Sequence, residues 1–135
     1  MMNSNRQWPL SYTRYITSCA ANAGQELALG GFPNNRAQLL RVSFFPDTDI
    51  VIDTDSGFYF YVLNKGTSGT ANTTIATYNS GTAAATLSKY KAIDVPITGS
   101  LSSVDEDEYL TWKEATLGTG TARANGFVLV EYTLY

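Results

Sequence analysis

Twelve carboxylates and no histidine set the chemistry open to this chain of 135 residues. Without imidazole, a single chain cannot build a Ser-His-Asp triad, a Cys-His pair or a histidine-ligated metal. Paired-carboxylate catalysis remains formally open. Asp47, Asp49, Asp53 and Asp55 form one cluster in sequence, and Asp105, Glu106, Asp107 and Glu108 another. A glycosidase sets two carboxylates across a deep cleft. A short chain with plain loops rarely builds one, so no catalytic residues and no enzyme activity are expected. No P-loop is present, and Gly118-Thr119-Gly120 is followed by no helix signal, so it reads as a hairpin turn.

The run Asp53-Thr54-Asp55-Ser56-Gly57 alternates carboxylates as a calcium loop does. Its glycine comes one place too early for an EF-hand, and Asn64 stands where a bidentate glutamate belongs. A solvated turn is the plainer reading, and calcium at Asp53 and Asp55 stays open beside it. No metal or cofactor is therefore assigned. Asp105 to Glu108 reads as a charged loop that keeps an adjacent strand edge from pairing; a contact for a basic partner is the alternative.

Binding is the other kind of chemistry. The net charge is −3, and the nine basic residues are scattered. Nucleic acid and anionic membrane both require clustered Lys and Arg, so neither is an expected partner. The first residues lack an apolar signal-peptide core, and no stretch has the length of a membrane helix. Cys19 stands alone, which excludes an intrachain disulfide and suggests a small buried side chain.

These residues must be held by β structure. Thr, Ser, Gly and Tyr are abundant, a composition that fits pleated surfaces and tight turns. Tyr12 to Cys19 and Gln25 to Leu29 read as strands. In Leu39 to Phe45 the alternation places Leu40, Val42 and Phe44 on one face and Arg41 and Ser43 on the other. Ile50 to Ile52 and Thr74 to Tyr78 are shorter candidates. Ile93, Val95 and Ile97 alternate, with Pro96 marking an edge. Tyr109 to Glu114 places Trp112 in phase with Leu110, as core. Phe127 to Leu134 points Val128, Val130, Tyr132 and Leu134 one way. Residues 83–91 fit helix or strand. About eight short strands separated by turns predict an all-β, jelly-roll-like antiparallel sandwich.

Phe58 to Leu63 is apolar on both faces, so its second face needs a cover. Tyr59, Tyr61 and Leu63 are the candidate oligomer interface. The aromatics of this strand would also suit sugar stacking, so a carbohydrate-binding module or a fibre-associated adhesion domain is the alternative function. Residues 1–11 read as an extended N-terminal arm on a single domain of residues 12–135. Arg6, Trp8, Pro9 and Leu10 in that arm are the candidate partner-binding residues, with Trp8 as an aromatic anchor.

A resemblance adds to this reading. The strand Arg41-Val42-Ser43-Phe44-Phe45-Pro46 is followed by Asp55-Ser56-Gly57-Phe58-Tyr59-Phe60-Tyr61-Val62-Leu63-Asn64 and by Thr74-Ile75-Ala76-Thr77-Tyr78. Tyr109-Leu110-Thr111-Trp112-Lys113 and Gly126-Phe127-Val128-Leu129-Val130-Glu131-Tyr132 close the pattern. Over roughly residues 38–134 this order resembles the jelly-roll structural proteins of tailed bacteriophages, particularly capsid decoration or cement proteins. The resemblance implies a homotrimer on the outer capsid surface of a virion, assembled in the host cytoplasm and bound to the major capsid protein.

Overall fold

Alternating apolar residues bounded by Gly, Pro, Asn and Asp dictate short strands, and the computed structural model, which describes residues 9–134, is built from them. In chain order they are β1 (Leu10–Ile16), β2 (Gln25–Gly31), β3 (Ala37–Pro46), β4 (Ile50–Ile52), β5 (Ser56–Asn64) and β6 (Thr73–Asn79). There follow β7 (Ala85–Leu87), β8 (Ile93–Asp94), β9 (Ser103–Val104), β10 (Tyr109–Gly118) and β11 (Gly126–Leu134). A 3₁₀ turn at Gly99–Ser102 precedes β9.

The first sheet runs β1-β11-β3-β8, with β9 also paired to β3, and the second runs β2-β10-β5-β6. The short strands β4 and β7 pair apart from both. Apart from these and β9, the strands pair from the outside inward: β1 with β11, β2 with β10, β3 with β8, and β5 with β6. All four pairings are antiparallel. This is one long hairpin coiled on itself, and β11·β3 and β10·β5 close the coil. The chain is thus an all-β sandwich with the strand order of a jelly roll.

The inner faces meet in one core. Trp112 of β10, Phe58 and Phe60 of β5 and Phe44 of β3 are fully buried. Phe60 lies 4.7 Å from Trp112 and 5.0 Å from Phe44, centroid to centroid, which joins the sheets. Each such side chain contributes about 1.5–3 kcal/mol of burial free energy. Trp112 is core, as its phase with Leu110 predicts.

Bulges change which residues face inward. Glu131 pairs with Arg41 and Tyr132 with Leu39, so Leu40 is the extra residue of β3. This overturns the expected placement of Leu40 with Val42 and Phe44: Leu40 is 47% exposed, and Leu39 points inward in its place. Leu29 in β2 and Ile75 in β6 are likewise unpaired between successive partners.

Other boundaries differ from the sequence reading. β1 begins at Leu10 and pairs Leu10 with Tyr132 and Ser11 with Glu131, so these two residues belong to the sheet and not to an arm. It ends at Ile16, and Cys19 instead forms an isolated bridge with Arg123. Within residues 83–91 the structured part is the strand Ala85–Leu87, paired with Ile50–Ile52. The stretch from Ile93 to Thr98 crosses between sheets. Ile93 pairs with Phe44 in the first sheet, and Ile97 bridges Ala76 in the second.

Candidate functional site

The acidic clusters sit in turns. Asp55 has a φ of 64° and Asp107 one of 66°, conformations that short polar side chains tolerate. The Ser56 hydroxyl donates to the Asp53 carbonyl at 2.9 Å, which closes the turn between β4 and β5. Asp105 pairs with Arg36 at 3.0 Å, and its amide donates to Glu108 at 2.7 Å. Among the described residues no three His, Cys, Asp or Glu side chains come together as a metal site.

Among the described residues, the buried ionic centre lies at the end of the sandwich that carries the loops after β1 and β10. Arg123 and Glu114 are buried, and Arg123 Nε donates to Glu114 Oε1 at 3.2 Å. Trp112 Nε1 donates to Glu114 Oε2 at 2.9 Å. The rest of the guanidinium is taken by the Thr121 carbonyl at 2.7 Å, the Ala23 carbonyl and the Cys19 sulfur at 3.0 Å. Through these bonds the buried guanidinium ties the loop after β1 to the loop after β10, so the cluster acts as a clamp. Sequence reasoning did not single it out. Its signal is legible, because Glu114 is in phase with Leu110 and Trp112 and so aims a charge at the core.

Two outward faces are left for binding. On the second sheet Tyr59 and Tyr61 are half-buried, with centroids 5.4 Å apart and planes 19° from parallel. At that spacing the rings stack on one another and cover part of each other's faces. Burial, and then the neighbouring Tyr59, pushes the Tyr61 hydroxyl pKa up. Lys113 stands beside Tyr61 on β10. Leu63 continues the same face of β5, in unbroken register with β10, but is covered there and only 5% exposed.

On the first sheet an aromatic row crosses the outer face. Tyr15 of β1 pairs with Phe127 of β11, which pairs with Phe45 of β3. Tyr15 is 52% and Phe127 44% exposed, and their rings meet edge-on at 5.5 Å. Beyond Phe45, the Tyr90 amide donates to the Pro46 carbonyl at 2.8 Å, bringing a further exposed ring to the end of the row. The charges on this face are paired around Arg41. Arg41 meets Asp94 at 3.0 Å and Glu131 at 3.6 Å, and the Ser43 hydroxyl donates to Asp94 at 2.7 Å. The Ser43 and Arg41 bonds hold the Asp94 pKa below the ordinary carboxylate range.

Of the expected partner-binding residues, Pro9 and Leu10 are exposed at the start of β1. Arg6 and Trp8 lie outside the described residues. The structure brings Tyr59 and Tyr61 together, and separates both from Leu10, which belongs to the other sheet, and from Pro9 just before it. No family model matches this chain, and no curated protein matches it.

Proposed function

We propose that the protein is a structural subunit of a virion, a capsid decoration or cement protein that binds the major capsid protein on the outer surface of the shell. The observation that carries this reading is the aromatic row Tyr15–Phe127–Phe45 on the outer face of the first sheet. Tyr15 and Phe127 are exposed, on a sheet face whose charges are already paired, and such rings suit burial against another protein. Packaged DNA presses outward on a shell, and a subunit that buries area across its joints stabilises the closed form. A repeating lattice multiplies a modest contact into strong avidity when neighbouring copies are joined. A rigid jelly roll suits this role, because it loses little order on binding.

The test is co-sedimentation with shells assembled from the major capsid protein of the encoding phage. Saturable binding is expected. Tyr15→Ser with Phe127→Ser should weaken it more than tenfold, and removal of residues 1–8 should weaken it further if Arg6 and Trp8 reach the shell. Full affinity in the double variant would remove the aromatic row from the reading. Absence of shell binding, with a signal on a glycan array lost in Tyr59→Ala or Tyr61→Ala, would replace it with the carbohydrate-binding alternative.

A further inference from the structure

An open sheet presents its edge strands as rows of unpaired N–H and C=O groups, and folded proteins blunt them with shortness, bulges, charges or a cover. The sheets here end on β1, β8, β2 and β6. β8 is only two residues long. β2 is broken by the bulge at Leu29, ends on Gly30–Gly31 and carries Glu26. β6 is broken at Ile75 and covered by residues 96–98: the Thr77 amide donates to the Pro96 carbonyl at 3.0 Å, and the Thr98 amide to the Ile75 carbonyl at 2.8 Å.

β1 has none of these devices. It runs seven residues in unbroken register with β11, contains neither Pro nor Gly, and has no second strand partner among the described residues. Its one charge, Arg14, is folded back with its guanidinium 4.9 Å from the centre of the Tyr12 ring. Arg14 Nη1 donates to the Thr13 carbonyl at 3.2 Å, so that carbonyl faces the open edge and not β11. A carbonyl has two lone pairs, and one remains for a neighbouring strand.

We infer that β1 pairs with β1 of a second copy, antiparallel about a two-fold axis between the Thr13 residues, making one continuous sheet across a dimer. The occupant follows from the strand's own sequence. In that register Leu10 faces Ile16, Ser11 faces Tyr15, Tyr12 faces Arg14 and Thr13 faces Thr13. Three of the four are favourable cross-strand pairs, with apolar against apolar, a guanidinium against an aromatic ring, and Thr against Thr. No like charges stand opposite one another. An unrelated strand would satisfy the backbone but has no reason to match these side chains. The contact does not rest on shell binding, although Tyr15 borders both surfaces, and it gives two copies where the phage resemblance implies three.

Light scattering on the purified full chain tests it. The expected mass is twice the chain's 14.7 kDa. Thr13 is exposed, so Thr13→Asp and Thr13→Lys should each fold, as circular dichroism and thermal unfolding would report. Each substitution sets like charges face to face at the axis and should give monomer. Mixing the two variants should restore the dimer as a heterodimer, because Asp then faces Lys. A monomeric or trimeric wild type overturns the inference, as does a dimer unchanged by both variants or a mixture that stays monomeric.

Discussion

Arg123 Nε lies 3.2 Å from Glu114 Oε1, and neither side chain is exposed to solvent. Removing one partner strands a charge in the core. Glu114→Ala or Arg123→Ala should each cost about 3–5 kcal/mol, read as a lowered urea midpoint. Joint replacement by Leu at 114 and Met at 123 should recover part of that loss. Recovery stays partial because Arg123 also holds the Thr121 and Ala23 carbonyls, which join the two loops.

Tyr12 packs edge-on against Phe32 and Tyr132, and its hydroxyl has no hydrogen-bond partner among the described residues. Tyr12→Phe should therefore leave stability unchanged or raise it by up to about 1 kcal/mol. Burial pushes the phenol's pKa up to about 12. A proton held more tightly in the folded state means stability that is full below the ordinary tyrosine value of about 10 and declines as pH rises towards the folded value. Thermal melts across alkaline pH should show this decline in the wild type and less of it in Tyr12→Phe.

Glu26 shows the opposite sign. The Thr111 hydroxyl donates to it at 2.8 Å and Lys65 sits 3.3 Å away, and the hydroxyl foremost holds its pKa below the usual range. Its contribution is present above the ordinary glutamate value of about 4.3 and is lost as pH falls through the lower folded value. Glu26→Gln should flatten the acid limb of stability against pH by lowering stability at neutral pH, with little change in acid.

Leu63 and Tyr61 share one face of β5 but differ in cover, Leu63 being buried and Tyr61 half-buried. Leu63→Ala should cost about 2–5 kcal/mol in chemical unfolding, as buried truncations do. Tyr61→Ala should cost less than half of that. Equal losses would mean that Tyr61 is held as tightly as the buried Leu63.

Much of the fold is legible in the residues. Alternation at Leu110–Trp112 and Val128–Val130–Tyr132 places those side chains inward, because successive side chains of a strand leave opposite faces. Turn residues mark most strand ends, and the missing histidine closes whole classes of catalysis whatever the fold. The jelly-roll pairing of β1 with β11 and of β2 with β10 was not legible, because each joins segments far apart in the chain and depends on which edges meet.

The sequence by itself determined local properties: strand character, the apolar inner stripes, and a charge aimed at the core by Glu114. Only the tertiary structure decided the rest. The bulge at Leu40 turned that side chain outward and Leu39 inward, since one extra residue reverses every later face of a strand. Arg123 reached Glu114 because β10 and the following loop fold over the same end of the sandwich. β1 became an open edge because, among the described residues, β11 is the one strand that pairs with it. Edges, bulges and buried partners are properties of neighbours, and neighbours exist only once the chain has folded.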